Sequence, residues 1–145
     1  MNKIELLTAG AYQPGLYQLL SATATSEIQA AVANAGWRFG HLDGRTIQSK
    51  ADFLTAVAAV LHFPPYFGHN WDAFEECIQD LSWLSAPGYV LLYEGVAHFA
   101  QQQPAEWRTA RAILTAAAAQ WRTEGRPIYF LVRETANVRF DLEWL

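Results

Sequence analysis

GYVLLYE, residues 88–94, is apolar at nearly every position between its opening glycine and its closing glutamate. A half-exposed strand alternates apolar and polar residues, so this run reads as a strand covered on both faces. PIYFLVRE (127–134) repeats the pattern. Further out, GLYQLL (15–20) is bounded by Pro14-Gly15 and a Ser/Thr-rich segment, and WRFGHL (37–42) ends at the turn signal Asp43-Gly44; both read as strands. Helical patterns lie between them. Ser26 is placed to cap a helix through Ile28, Ala31, Val32 and Ala35 that Gly36 stops. Ser49 is placed to cap a second, with Phe53, Val57, Val60 and Leu61 on one face and Pro64-Pro65 behind it. Asn70 opens a third, a short helix covers 96–102, and an Ala-rich helix runs from Pro104 or Ala105 to about Glu124, closed by Gly125. Strands alternating with helices predict an α/β fold with a parallel sheet and helices packed over it. The tail ANVRFDLEWL (136–145) is expected to add an edge strand at most.

The chain has 145 residues, 52% of them hydrophobic, which fits one domain with a sizeable core. Cys77 is the only cysteine, so no internal disulfide forms and a cytoplasmic setting is expected. The opening MNKIELLTAG has too short an apolar run for a secretory signal, and no segment approaches the roughly 18–20 apolar residues that span a bilayer. The net charge of −4 is unevenly spread. Residues 51–107 carry Asp52, Asp72, Glu75, Glu76, Asp80, Glu94 and Glu106 but no Lys or Arg. That stretch repels nucleic acid and suits a cationic partner, although an acidic surface with no partner would give the same composition.

The helix opened by Asn70 concentrates this asymmetry. At 100° per residue Trp71, Phe74, Cys77, Ile78 and Leu81 share one arc, while Asp72, Glu75, Glu76, Gln79 and Asp80 share the other. Asp72 and Glu76 are four apart and repel each other by a few tenths of a kcal/mol. Only Asp72 sits close enough to the positive end of the helix dipole to recover part of that. A conflict of this kind on an exposed face is expected where function overrides stability. The preceding PPYFG turn adds an aromatic on a stiff support; Phe67 is expected to pack under the loop and Tyr66 to face outward. Cys77, on the apolar arc, is expected to be buried and inert.

These residues carry a resemblance. YFGHNWDAFEECIQDLSWL (66–84), preceded by LDGRTI and a helix ending in FPP, resembles the barstar family of intracellular ribonuclease inhibitors over about two-thirds of the chain. The most specific part is Tyr66 to Ala73. The resemblance implies a three-layer α/β fold for 1–145 with a parallel sheet of three to four strands, with 37–134 as the family core, 1–36 as a strand-helix extension that lengthens the sheet, and 135–145 as a tail. It also implies a function: loop and acidic helix plug the active site of a secreted basic ribonuclease, with carboxylates standing in for RNA phosphates. On this sequence Tyr66 corresponds to the loop aromatic, Asn70 to the helix cap, Asp72 to the first inhibitory carboxylate, and Glu76 to the Asp of the best-known member that enters the phosphate site. Glu75 replaces a contact Trp, and Gln120 stands where that member has an acid on its long helix. The implied partner surface comprises Tyr66, Gly68 and Asn70 of the loop with Trp71, Asp72, Glu75, Glu76, Gln79 and Asp80 of the helix. No cofactor, metal, nucleic acid or membrane is implied, and a monomer is expected.

Two other readings use the same residues. Asp72 with Glu76, or Glu76 with His69, could serve as acid and base or hold a divalent ion, but no further His or Cys stands at a diagnostic spacing. His41, His62, His69 and His98 are scattered, and no phosphate loop, nucleophile elbow or HExxH occurs. A non-enzymatic module for some other basic toxin or regulator shares the acidic face and is not separated by sequence.

Overall fold

A computed structural model describes residues 2–134 and 138–145. In chain order it contains α1 (Lys3–Thr8), β1 (Leu16–Gln18), α2 (Thr25–Asn34), β2 (Arg38–Asp43), a 3-10 turn (Gly44–Thr46) and α3 (Lys50–Val60). There follow α4 (Trp71–Asp80), β3 (Tyr89–Glu94), α5 (Ala97–Gln102), α6 (Pro104–Thr123), β4 (Ile128–Arg133) and β5 (Glu143–Trp144). The five strands make one sheet in the order β2-β3-β4-β1-β5, and every pairing is parallel.

The apolar runs are the interior of this sheet. Leu91 of β3 pairs with Phe130 of β4, which pairs with Leu16 of β1, and all three face the side covered by α3–α6. Phe53, Val57, Phe74, Ile78, Leu114 and Trp121 fill that side. One residue on, Val90, Leu92, Tyr129 and Leu131 face the opposite side, where Ile4 and Leu7 of α1 and Ile28, Ala31 and Val32 of α2 meet them. Two helical layers enclosing a parallel sheet give the three-layer α/β architecture, because both faces of β3 and β4 need cover.

Several local expectations hold in detail. Ser49 caps α3 by accepting from the Asp52 N–H at 3.1 Å. Gly36 and Gly125 follow α2 and α6 with φ of 78° and 70°. The expected edge strand is β5, formed by Glu143–Trp144 of the tail; residues 135–137, where that tail segment starts, lie outside the described residues. With β1 inserted between β4 and β5, the sheet is one strand wider than the three to four expected. Ser26 is not the cap of α2. Ala24 precedes the helix without a side-chain bond, and Thr25 is its first residue, its hydroxyl donating to Glu94 instead. Helix α1 went unread because six residues are too few to display a period; Asn2 caps it through the Glu5 N–H at 2.8 Å.

A polar hub ties the extension to the rest. Arg133, 9% exposed at the end of β4, donates to the carbonyls of Ser21 (3.1 Å) and Thr23 (2.6 Å) and to Glu94 (2.9 Å). Glu94 also accepts from Thr25 and lies 2.9 Å from His41 Nε2. Burial pushes the Glu94 carboxyl up, but the bonds from Thr25, His41 and Arg133 together outweigh it and hold it below the usual carboxylate range. Its contribution to stability is therefore present above that range and disappears as pH falls through the lowered value.

Removal of residues 1–36 uncovers Val90, Leu92, Tyr129 and Leu131, each worth roughly 1.5–3 kcal/mol when buried. The 37–145 fragment is expected to bind a hydrophobic dye and to lose its sharp urea transition. A cooperative transition like that of the full chain would show that the extension is dispensable.

Candidate functional site

Helix α4 begins where Asn70 Oδ1 accepts from the Ala73 N–H at 2.8 Å and ends at Leu81, whose φ of 50° turns the chain out of the helix. Phe74, Cys77, Ile78 and Leu81 are buried beneath it, as the arc predicted. Trp71 is half-buried, 5.8 Å from the rings of both Phe53 and Phe74, and its indole N–H donates to Glu106 of α6 at 2.8 Å. At the other end the Trp121 indole donates to the Ile78 carbonyl at 2.9 Å, and Arg126 donates to the Asp80 carbonyl at 2.7 Å. The long helix thus grips α4 at both ends.

With one arc committed to the core, the other has a fixed direction. Asp72, Glu75, Glu76 and Asp80 are exposed and Gln79 is half-buried. None of the four carboxylates forms an ion pair among the described residues. Asp80 accepts a 3.3 Å bond from the Ser82 N–H. At 1.5 Å per residue the row from Asp72 through Glu76 to Asp80 is about 12 Å long, with a carboxylate at each turn.

The loop before α4 is built from its own turn. Phe67 N–H donates to the Pro64 carbonyl at 2.9 Å, and the Phe67 ring packs edge-on against Phe63 at 5.0 Å. That places Phe67 inside and leaves Tyr66 78% exposed, the division expected from sequence. A Cβ on Gly68 would stand 3.2 Å from Asn70 Nδ2, crowding the cap. His69 follows with φ of 52°, its ring 4.7 Å from that of Phe67. All nine sequence-predicted positions therefore lie on this loop and helix. Tyr66, Asp72, Glu75, Glu76 and Asp80 present side chains outward, Asn70 shapes the helix start, and the Trp71 indole is turned into support.

Two neighbours were not placed on the partner surface by the sequence. Gln120 is exposed on α6 and donates to Glu124 at 3.0 Å; Arg126 joins Glu124 at 3.0 Å while holding the Asp80 carbonyl. The bonds from Gln120 and Arg126 hold the Glu124 carboxyl below its ordinary range. Glu124 is thus linked through Arg126 to the end of α4, an approach set by helix packing that no local pattern announces. His69, weighed in sequence as an acid–base or metal partner of Glu76 and not as part of the partner surface, is the second.

A separate cleft of about 380 Å³ lies at the carboxyl ends of β2 and β3, lined by His41, Asp43, Arg45, Glu94, His98 and Glu134. Its charges are already engaged: Asp43 with Arg45 at 2.8 Å, Glu94 with Arg133, and Glu134 with the Ala97 N–H at 2.7 Å. Among the described residues no group of three or more His, Cys, Asp or Glu is arranged to hold a metal, and no helix is long and apolar enough to cross a membrane.

Replacing Asn70 with Ala should lower stability by about 1 kcal/mol through the lost cap, read as a shifted urea midpoint; an unchanged midpoint would deny the cap its role. Burial pushes the Cys77 thiol up, and the Glu76 and Asp80 charges push it further. Thiol reagents should label it slowly in the native protein and fast in urea, and rapid native labelling would contradict the packing of α4.

The family model described as Barstar (barnase inhibitor) matches residues 37–133, from just before β2 to the end of β4. No curated protein matches the chain.

Proposed function

The chain belongs to the barstar family, a family of inhibitors, and on that premise we propose that it inhibits a secreted basic ribonuclease of the barnase type. The blocking surface is α4 with the loop before it. One observation carries this reading: among the described residues four carboxylates stand unpaired by any cation on one arc of a helix whose opposite arc and both ends are fixed to the core. A ribonuclease concentrates Arg, Lys and His where RNA phosphates bind, and a row of carboxylates at one-turn spacing offers those groups charge-assisted hydrogen bonds.

The residues divide the work. Asp72 and Glu76 enter the cationic cleft, Glu75 and Asp80 extend the acidic field along the helix, and Gln79 borders it. Tyr66 supplies an aromatic anchor on the proline-stiffened turn. Gly68, Asn70 and Trp71 set the position of loop and helix, while Glu124, paired with Arg126, borders the surface beyond Asp80. Residues 1–36 act as support beneath the sheet. The protein is a binder and performs no chemistry of its own, and with a single buried thiol it works in the reducing cytoplasm, guarding the cell that makes the enzyme.

Repulsion among the carboxylates costs the free inhibitor a few tenths of a kcal/mol per pair and is relieved in the complex. The same field steers encounter with a cationic enzyme, as known for the barnase–barstar pair itself.

Titrated into a barnase-type ribonuclease, the purified chain should abolish RNA cleavage at one-to-one stoichiometry, with an association rate that falls as salt rises. Asp72→Ala and Glu76→Ala should each weaken binding by about 2–5 kcal/mol, a general range to which the barnase–barstar complex itself contributes. Their urea midpoints should stay unchanged or rise slightly. Full enzyme activity in the presence of excess inhibitor, or undiminished affinity in both variants, would refute the reading.

A further inference from the structure

We propose that His69 makes this interface sensitive to pH: neutral, its imidazole offers the partner an acceptor, and protonated, it opposes a cationic cleft. The inference rests on the inhibitor reading above.

The starting point is a backbone outlier. His69 is exposed and holds φ at 52°, a left-handed conformation that Gly or Asn adopts more cheaply. Histidine enters this conformation more readily than most residues, and His62 and Leu81 share it, so the weight falls on position: His69 lies in the chain between the exposed Tyr66 and the acidic helix. The ring is also fixed. It lies 4.7 Å from the Phe67 ring, and its Nδ1 is 3.2 Å from the Phe67 carbonyl oxygen. A carbonyl only accepts, so Nδ1 carries the proton, and in the neutral ring Nε2 is left as an acceptor.

The neighbourhood gives that acceptor its meaning. From residue 63 to 81 the chain holds Asp72, Glu75, Glu76 and Asp80 but no Lys or Arg, so His69 is the sole side chain of the loop and helix able to become a cation. The charged and titratable groups on the elements around the loop are those acids on α4, Lys50 and Asp52 of α3 with His62 just after it, and Glu106, Arg108, Arg111 and Arg122 of α6. Segment 81–88 carries none. His69 forms no ion pair with any of them. Neutral His69 adds one more acceptor to a surface of acceptors. Protonation turns its Nε2 into a donor and brings a positive charge into a contact whose other side is basic. Histidine changes charge between about pH 5 and 8. The neutral form binds better, so affinity is full above its titration and declines as pH falls through it; reciprocally, binding moves that titration to lower pH.

The test compares the wild-type chain with His69→Asn, which keeps a residue tolerant of the left-handed backbone and removes the titration. Binding of both to a barnase-type ribonuclease is measured by calorimetry from pH 8 to pH 5.5. The comparison cancels groups that titrate on the enzyme. Wild type is expected to lose roughly 3–10-fold more affinity than the variant over that range. Independently of any variant, the His69 ring signals of the wild-type protein should titrate at lower pH in the complex than in the free chain. Parallel profiles, a His69 titration unmoved by binding, or tighter wild-type binding at pH 5.5 would overturn the inference alone. Absence of binding by either protein at pH 8 would overturn the inhibitor reading and this inference with it.

Discussion

Both faces of β3 and β4 are apolar, and neither can be left to water. On one side that constraint recruits α3–α6, on the other the α1 and α2 of the extension. It also decides where the acids go. Phe74, Cys77 and Ile78 are part of the larger core, so α4 cannot turn about its axis without burying a carboxylate at a cost of several kcal/mol. The outward direction of Asp72, Glu75, Glu76 and Asp80 is thus a by-product of sheet burial, reinforced by α6 through Trp71–Glu106 and Trp121–Ile78.

Some charges elsewhere in the fold are paired. Arg45 hydrogen-bonds the Asp43 side chain and holds its carboxyl down at about 2, while Glu94 collects Thr25, His41 and Arg133. The contrast with α4 is informative because pairing there was available in principle: an arginine at position 79 would stand four residues from Glu75. Gln79 occupies that place instead. Like-charge repulsion in water is small and exposed ion pairs are worth little, so stability hardly constrains the choice. What an internal cation would remove is the free valence of the face toward an external one.

Much of this was legible along the chain. The two arcs of α4, the caps Ser49 and Asn70, and the doubly covered strands all depend on neighbours within a few residues, where periodicity and capping chemistry speak directly. The split between Tyr66 and Phe67 was legible for the same reason, since a tight turn sends adjacent side chains to opposite sides. Illegible features depend on distant partners. Thr25 displaced Ser26 at the start of α2 because its hydroxyl meets Glu94, 69 residues away. Glu124 comes to α4 only through Arg126, and the Arg133 hub gathers segments 108 or more residues apart. No window of sequence contains both halves of such contacts.

Where rigidity ends is as telling as where it holds. Backbone motion in α4 is suppressed by its cap, its buried arc and its two tethers, so a partner meets a row already set at about 6 Å intervals and has only side-chain rotors to order. Each rotor costs about 0.5–1.5 kcal/mol to fix, and Glu76, one methylene longer than Asp, sits at the upper part of that scale. The extra length extends reach but blurs position. Under the proposed function, discrimination between partners would therefore fall to the rigid members, the short Asp72 and Asp80 and the turn that carries Tyr66, while Glu75 and Glu76 would adapt to whatever spacing of basic groups those members allow.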